Sequence, residues 1–165
     1  MQHGRALHAA EVFSPSRGAT VVEVRLQRSV GLASYGSGTP GCDGAHGIDG
    51  IGEPIAGNGS FAITADRGPS SGIGVLIVGL AAHVAGFDPG LGVQLHIDVS
   101  APIVLVTLPT DQEGEFVMGM PLPAQPAVHG FELFGQAAFL WGGACQPSVS
   151  GFSASEGLRI EVLAP

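Results

Sequence analysis

Lysine is absent from this chain, and all six basic residues are arginine. Charge of either sign is sparse, at 12% of residues, and it is unevenly placed. Arg5, Arg17, Arg25 and Arg28 precede Ser29, where only Glu11 and Glu23 oppose them. From Ser29 onward Arg67 and Arg159 face twelve acids, a formal charge of −10. A body so acidic repels phosphate backbones and argues against nucleic acid as a partner. Aromatic residues make up only 6%, with Tyr35 and Trp141 the single residues of their kinds. No apolar run reaches the roughly 20 residues a membrane helix needs. The longest, residues 73–82, is broken by Gly74 and Gly79, so no membrane span is expected. Residues 1–10 also hold no apolar signal-peptide core.

What is abundant is glycine, at 27 residues, with 12 prolines. Composition of that kind approaches low-complexity chains. Yet 45% of residues are hydrophobic and mean hydropathy is +0.37, which excludes a disordered tail. Many turns joining many short strands reconcile the two facts. At 165 residues the chain suits one domain with a short extension, large enough to bury a real core.

The patterning agrees. Residues 20–28 alternate, with Val22, Val24 and Leu26 on one side and Glu23, Arg25 and Gln27 on the other, a half-buried strand. Residues 35–59 are crowded with glycine and read as loop around a short strand near residues 48–51. Phe61 and Ile63 alternate with Ala62 and Thr64, and residues 66–72 form a turn. Residues 73–80 are apolar on both faces, as in a central strand. Val93, Leu95, Ile97 and Val99 alternate with Gln94, His96 and Asp98, which places His96 on a solvent face. A second apolar run, 103–108, leads through a hairpin turn at 110–114 to a strand at 115–120. Pro121, Pro123 and Pro126 rule out ladder bonding across a linker. Residues 131–141 are a long aromatic strand, with Phe131, Leu133 and Phe139 in the core. Leu158, Ile160 and Val162 alternate with Arg159 and Glu161 to finish. The expected fold is all-β, an antiparallel sandwich of the jelly-roll or immunoglobulin-like class with eight to ten short strands and very little helix. Its domain spans residues 34–165, behind an extension at 1–33.

Two cysteines remain, Cys42 and Cys145. They either close a loop of about 100 residues, worth up to roughly 4–5 kcal/mol on the chain-entropy argument, or stay as separate thiols. Their Gly-rich turn contexts favour the disulfide.

From Tyr35 onward the residues resemble a known module. Tyr35-Gly36-Ser37-Gly38-Thr39-Pro40-Gly41-Cys42 resembles the opening of a C-terminal module recurrent in uncharacterised secreted proteins of planctomycetes and related bacteria. The likeness runs on through Gly59-Ser60-Phe61, residues 95–99 and Leu108-Pro109-Thr110-Asp111-Gln112-Glu113-Gly114. It ends with Leu122-Pro123, residues 130–136 and Ser153-Ala154-Ser155-Glu156-Gly157-Leu158. The resemblance implies a β-sandwich and secretion, and no chemistry of its own. Modules of this kind sit behind other extracellular domains, so the implied location is extracellular or the cell surface.

Candidate sites are few. Gly68-Pro69-Ser70-Ser71-Gly72 has the letters G-x-S-x-G, but a strand follows where a nucleophile elbow needs a helix. Gly36-Ser37-Gly38-Thr39-Pro40-Gly41 has the letters of a dinucleotide loop, again without the helix. Asp43, His46, Asp49 and Glu53 share one Gly-rich loop and offer oxygen ligands of the kind Ca²⁺ takes. Their spacing matches no established calcium loop, and solvated turn residues account for them equally well. Trp141 with Tyr35 could stack on a sugar ring. Val22, Val24, Arg25, Leu26 and Arg28 form a strand that could complete a neighbour's sheet or pair within its own. These readings point to a non-catalytic extracellular structural or interaction module. The rival readings are a self-assembling fibre subunit, a carbohydrate-binding module and, last, a small hydrolase. The partners they imply are another copy, a neighbouring extracellular domain or a glycan.

Overall fold

The structure is a computed structural model and describes residues 30–143 and 145–165. The strand expected at residues 20–28 lies outside the described residues. The fold is all-β, with antiparallel sheets and one short 3₁₀ turn at Pro126–Val128.

Eleven strands appear among the described residues, more than the eight to ten expected. They are β1 (Leu32–Tyr35), β2 (Ile48–Ile51), β3 (Ala62–Ala65), β4 (Ile73–Gly79), β5 (Ala82–Phe87), β6 (Leu95–Ile97), β7 (Ile103–Pro109), β8 (Phe116–Gly119), β9 (Glu132–Leu140), β10 (Phe152–Ala154) and β11 (Gly157–Glu161). The excess comes from β1, β5 and β10, whose sequences carry too little alternation to announce a strand.

The large sheet has the order β1-β11-β9-β4-β7, with β10 also on β9. A small sheet, β2-β3-β8, faces it, and a two-stranded ribbon, β5-β6, packs on the other face of the large sheet without ladder pairing to it. Between the two sheets lies the main core. Leu76 of β4, Ala137 and Phe139 of β9, and Leu158 and Ile160 of β11 meet Ile48, Phe61, Ile63 and Phe116. Gly135 belongs to this inner face, where an added Cβ would stand 3.8 Å from Ile48 and 3.9 Å from Ile63. The other face of the large sheet carries Ala138, which packs with Val93 and Ala154 in a smaller cluster bordered by Leu95 and Phe152.

That second cluster corrects one expectation. His96 is 2% exposed, not on a solvent face. Alternation along residues 93–99 breaks because the ribbon is irregular, with a register shift between Ala82 and Phe87. Gly36 and Gly86 leave the room that the imidazole fills, since a Cβ on either would meet its ring within 2.7 Å. Phe131 is a second correction: it is 45% exposed, standing just before β9 at the sheet's end.

The turn expected at residues 66–72 and the hairpin turn expected at 110–114 both prove to be crossings between sheets. Residues 66–72 join β3 of the small sheet to β4 of the large one, and residues 110–115 join β7 to β8 in the reverse direction. No hairpin pairing links either couple. The two connections are tied to each other instead: Gly68 N donates to Gly114 O at 2.9 Å, and Ser71 N to Asp111 O at 2.6 Å. Turn residues announce that the chain reverses. Which sheet receives it depends on the core that both sheets share.

Cys42 and Cys145 are joined as a disulfide, with Cα atoms 6.2 Å apart. It ties the loop before β2 to the segment between β9 and β10, 103 residues later. Reduction is expected to cost about 2–4 kcal/mol, a melting-temperature loss of about 5–15 °C in a domain of this size. Thermal melts with and without reductant measure it, and a double Cys→Ala variant must show no reductant effect.

Candidate functional site

Among the described residues, three places concentrate polar or exposed chemistry: a buried serine–histidine pair, a buried glutamine–histidine bridge, and the outer edge of β7.

The first sits between the end of β9 and β10. His46 and Ser153 are both buried, with His46 Nε2 2.7 Å from Ser153 Oγ. Trp141 Nε1 donates to the same Ser153 Oγ at 2.6 Å. A carbonyl can only accept, so His46 Nδ1, facing Asp66 O at 3.4 Å, carries the proton of the neutral ring. Nε2 then accepts from the serine hydroxyl, whose oxygen accepts from the indole. The ring lies against Phe139 at 4.6 Å between centroids and near Trp141 at 6.2 Å. A serine hydrogen-bonded to a neutral histidine is the first half of a nucleophilic site. Here Ser153 is fully buried under the indole, and His46 meets a backbone carbonyl where a triad would place a carboxylate. The arrangement satisfies buried polar groups and presents no nucleophile to a substrate.

Burial holds the His46 imidazole below its ordinary proton affinity, outweighing the backbone contacts at Asp66 and Arg67 that raise it. The folded state therefore binds this proton less readily than the unfolded chain does. Stability from a neutral His46 is full above the unfolded value of about 6.5. It is lost as pH falls below that value toward the depressed folded one. Urea midpoints should fall between pH 7.5 and pH 5, and His46→Gln should flatten that slope while lowering the plateau.

The second cluster lies on the opposite face of the large sheet. Gln136 Oε1 accepts from His96 N at 2.8 Å, and Gln136 Nε2 donates to Gln94 O at 2.9 Å and Ser155 O at 2.8 Å. One buried side chain thus pins the ribbon to β9 and to the bulge between β10 and β11. Tyr35 OH donates to His96 O at 3.0 Å, and burial pushes its pKa up to about 12, so it stays a donor.

The loop expected to offer calcium ligands is not drawn together. Asp43 and Glu53 are exposed, Asp49 Oδ1 accepts from Gly50 N at 2.8 Å on β2, and His46 is committed to Ser153. Among the described residues no three His, Cys, Asp or Glu side chains form a metal-holding group. The two aromatic residues expected to stack on a sugar are apart. Tyr35 packs edge-on against Phe134 at 5.9 Å, whereas Trp141 lies seven residues further along the same strand direction, about 23 Å at strand rise. Ser70 of the G-x-S-x-G turn is exposed, and β4 follows it directly, as expected from the sequence.

The third place was not singled out by the sequence. The apolar run 103–108 becomes β7, and β7 is an edge strand. Val104 and Leu105, which point to opposite faces, are both 61% exposed. Pro102 O accepts from Leu80 N, and Thr110 N donates to Gly72 O. Antiparallel alternation then turns Val104, Val106 and Leu108 toward β4 for bonding, and the N–H and C=O of Ile103, Leu105 and Thr107 outward. Among the described residues nothing pairs with that outer edge. Beside it, Val78, Leu80, Pro102, Val104 and Leu133 line an apolar groove of about 190 Å³. No charged residue lies in β7 or β4. The one signal in the sequence was that second uncharged run, which periodicity alone reads as buried.

Compared with family models, with curated proteins and with solved structures, the chain finds no match.

Proposed function

We propose that this chain is a non-catalytic structural or protein-interaction module that works outside the cytosol through the open edge of β7. The observation that carries the reading is seven residues of uncharged, exposed edge with three outward peptide groups. Natural sheets usually blunt such an edge with charge, bulges or a cover, because it templates pairing with another chain. β7 has only Pro102 just before it and Pro109 as its last residue. An edge kept open has main-chain bonds to give to an added strand, with the adjacent apolar side chains selecting which strand. The Cys42–Cys145 pair supports an oxidising compartment, and the resemblance to modules of secreted bacterial proteins supports the same location.

A photo-crosslinking residue at position 105, in the chain expressed by its native cell, tests this. Expected is a discrete protein adduct from position 105 and none from position 149, which is exposed on another part of the surface. Absence of any adduct at position 105 ends the reading.

A further inference from the structure

We propose that the strand added to β7 is the segment Thr20–Arg28 of a second copy of this chain, so that copies join head to tail. The inference rests on the interaction reading above and names its partner.

Fit is the first argument. The inner-face side chains of β7 are Val104, Val106 and Leu108, paired across β4 with Val78, Leu76 and Gly74. An antiparallel partner with Leu26 opposite Val104, Val24 opposite Val106 and Val22 opposite Leu108 extends this apolar row by three residues. Its intervening residues, Glu23, Arg25 and Gln27, then bond the outward peptide groups of Thr107, Leu105 and Ile103. Their polar side chains fall on the outer face, where water reaches them.

Charge is the second. Residues 1–28 carry four arginines and two glutamates, a formal +2, against −10 for the rest of the chain. Copies of the acidic body repel one another, and only the N-terminal segment offers the opposite sign.

Reach is the third, and it selects a second copy over the segment's own domain. Leu32 opens β1 at the sheet end where β7 begins: it is opposite Ile160, which is opposite Leu133, one row beyond the Phe134, Gly79 and Ile103 row. A strand beyond β7 lies five strand spacings from β1, about 24 Å. From Arg28 to Leu32 the chain spans at most about 14 Å. Self-capture on β7 would require giving up Leu26, Gln27 and Arg28, a third of the alternating segment. The other edges of the two sheets, β1, β2 and β8, have four residues each and cannot seat the same run. Because the donor segment joins the described fold at β1, across the large sheet from β7, the contact is heterologous and extends from copy to copy.

Two full-length variants test it by complementation. Leu105→Pro removes one outward N–H without touching a bond to β4, leaving a donor without an acceptor. Arg25→Pro removes the N–H that would bond Leu105 O and leaves an acceptor without a donor. In sedimentation velocity the wild type should form a concentration-dependent series over two decades of concentration, and each variant alone should sediment as one copy. An equimolar mixture should give a species of two copies and nothing larger. Circular dichroism and melting check that both variants fold, and Thr107→Pro replaces Leu105→Pro if that one does not. A wild type that stays one copy throughout overturns the proposal, and so does Arg25→Pro that still associates or a mixture that gives no two-copy species. A foreign adduct at position 105 with a single-copy wild type would overturn this inference alone and leave the interaction reading standing.

Discussion

Gly114→Val should destabilise the domain by on the order of 4 kcal/mol, read as a large fall in the urea midpoint. Gly114 has φ +75°, a conformation that costs an L-residue about 1–2 kcal/mol. A Cβ there would stand 2.1 Å from Gly68 O and 2.9 Å from Gly68 C. Those atoms are backbone, so no side chain can swing aside, and overpacking adds about 1–3 kcal/mol. Gly68 cannot retreat either, because its own Cβ position is 2.4 Å from the Phe139 ring. This is where the two inter-sheet crossings touch, and valine would force them apart. Against a total stability of about 5–15 kcal/mol, the loss is enough to leave a marginal domain partly unfolded. Gly59→Ala is the control, since its Cβ meets nothing and its φ is ordinary; it should stay within about 0.5 kcal/mol. Equal midpoints for Gly114→Val and wild type would mean the crossings do not meet as described.

Phe139→Ala should cost about 3–5 kcal/mol, the range for removing a fully buried aromatic ring. Phe139 is completely buried, 5.7 Å from Phe116 of the small sheet and 4.6 Å from His46 between ring centroids. It is the side chain through which the large sheet, the small sheet and the serine–histidine pair are all in contact. Its loss should also let water reach His46, so the acid-side fall in stability should become shallower than in wild type. Denaturant titrations at pH 7.5 and pH 5 measure both effects together. A loss below about 1 kcal/mol would show that the sheets do not pack through this ring.

Much of the fold could be read from residue order. The apolar run before Leu80 marks β4 as central, and alternation at Leu158 and Ile160 marks β11. Loss of helix-length segments to glycine left sheets as the only way to bury a hydrophobic composition. The turns at residues 66–72 and 110–115 were legible as reversals but not as crossings between sheets. His96 was legible as polar and not as buried, because its burial depends on two glycines, Gly86 in the neighbouring strand β5 and Gly36 sixty residues earlier, whose lack of a side chain leaves room for its ring. The His46–Ser153 pair joins residues 107 positions apart, and no spacing rule could have matched them. The disulfide was the exception: two cysteines allow one intramolecular pairing.

The sequence by itself determined the class of structure, because alternation and glycine punctuation act over a few residues and are written where they act. Tertiary structure alone decided which apolar run stays uncovered. Residues 73–80 and 103–108 are chemically alike, and whether a run lies inside a sheet or at its edge depends on how many neighbours the rest of the chain supplies. Among the described residues β4 has two neighbours, while β7 has one, and that single missing partner gives this molecule its candidate working surface.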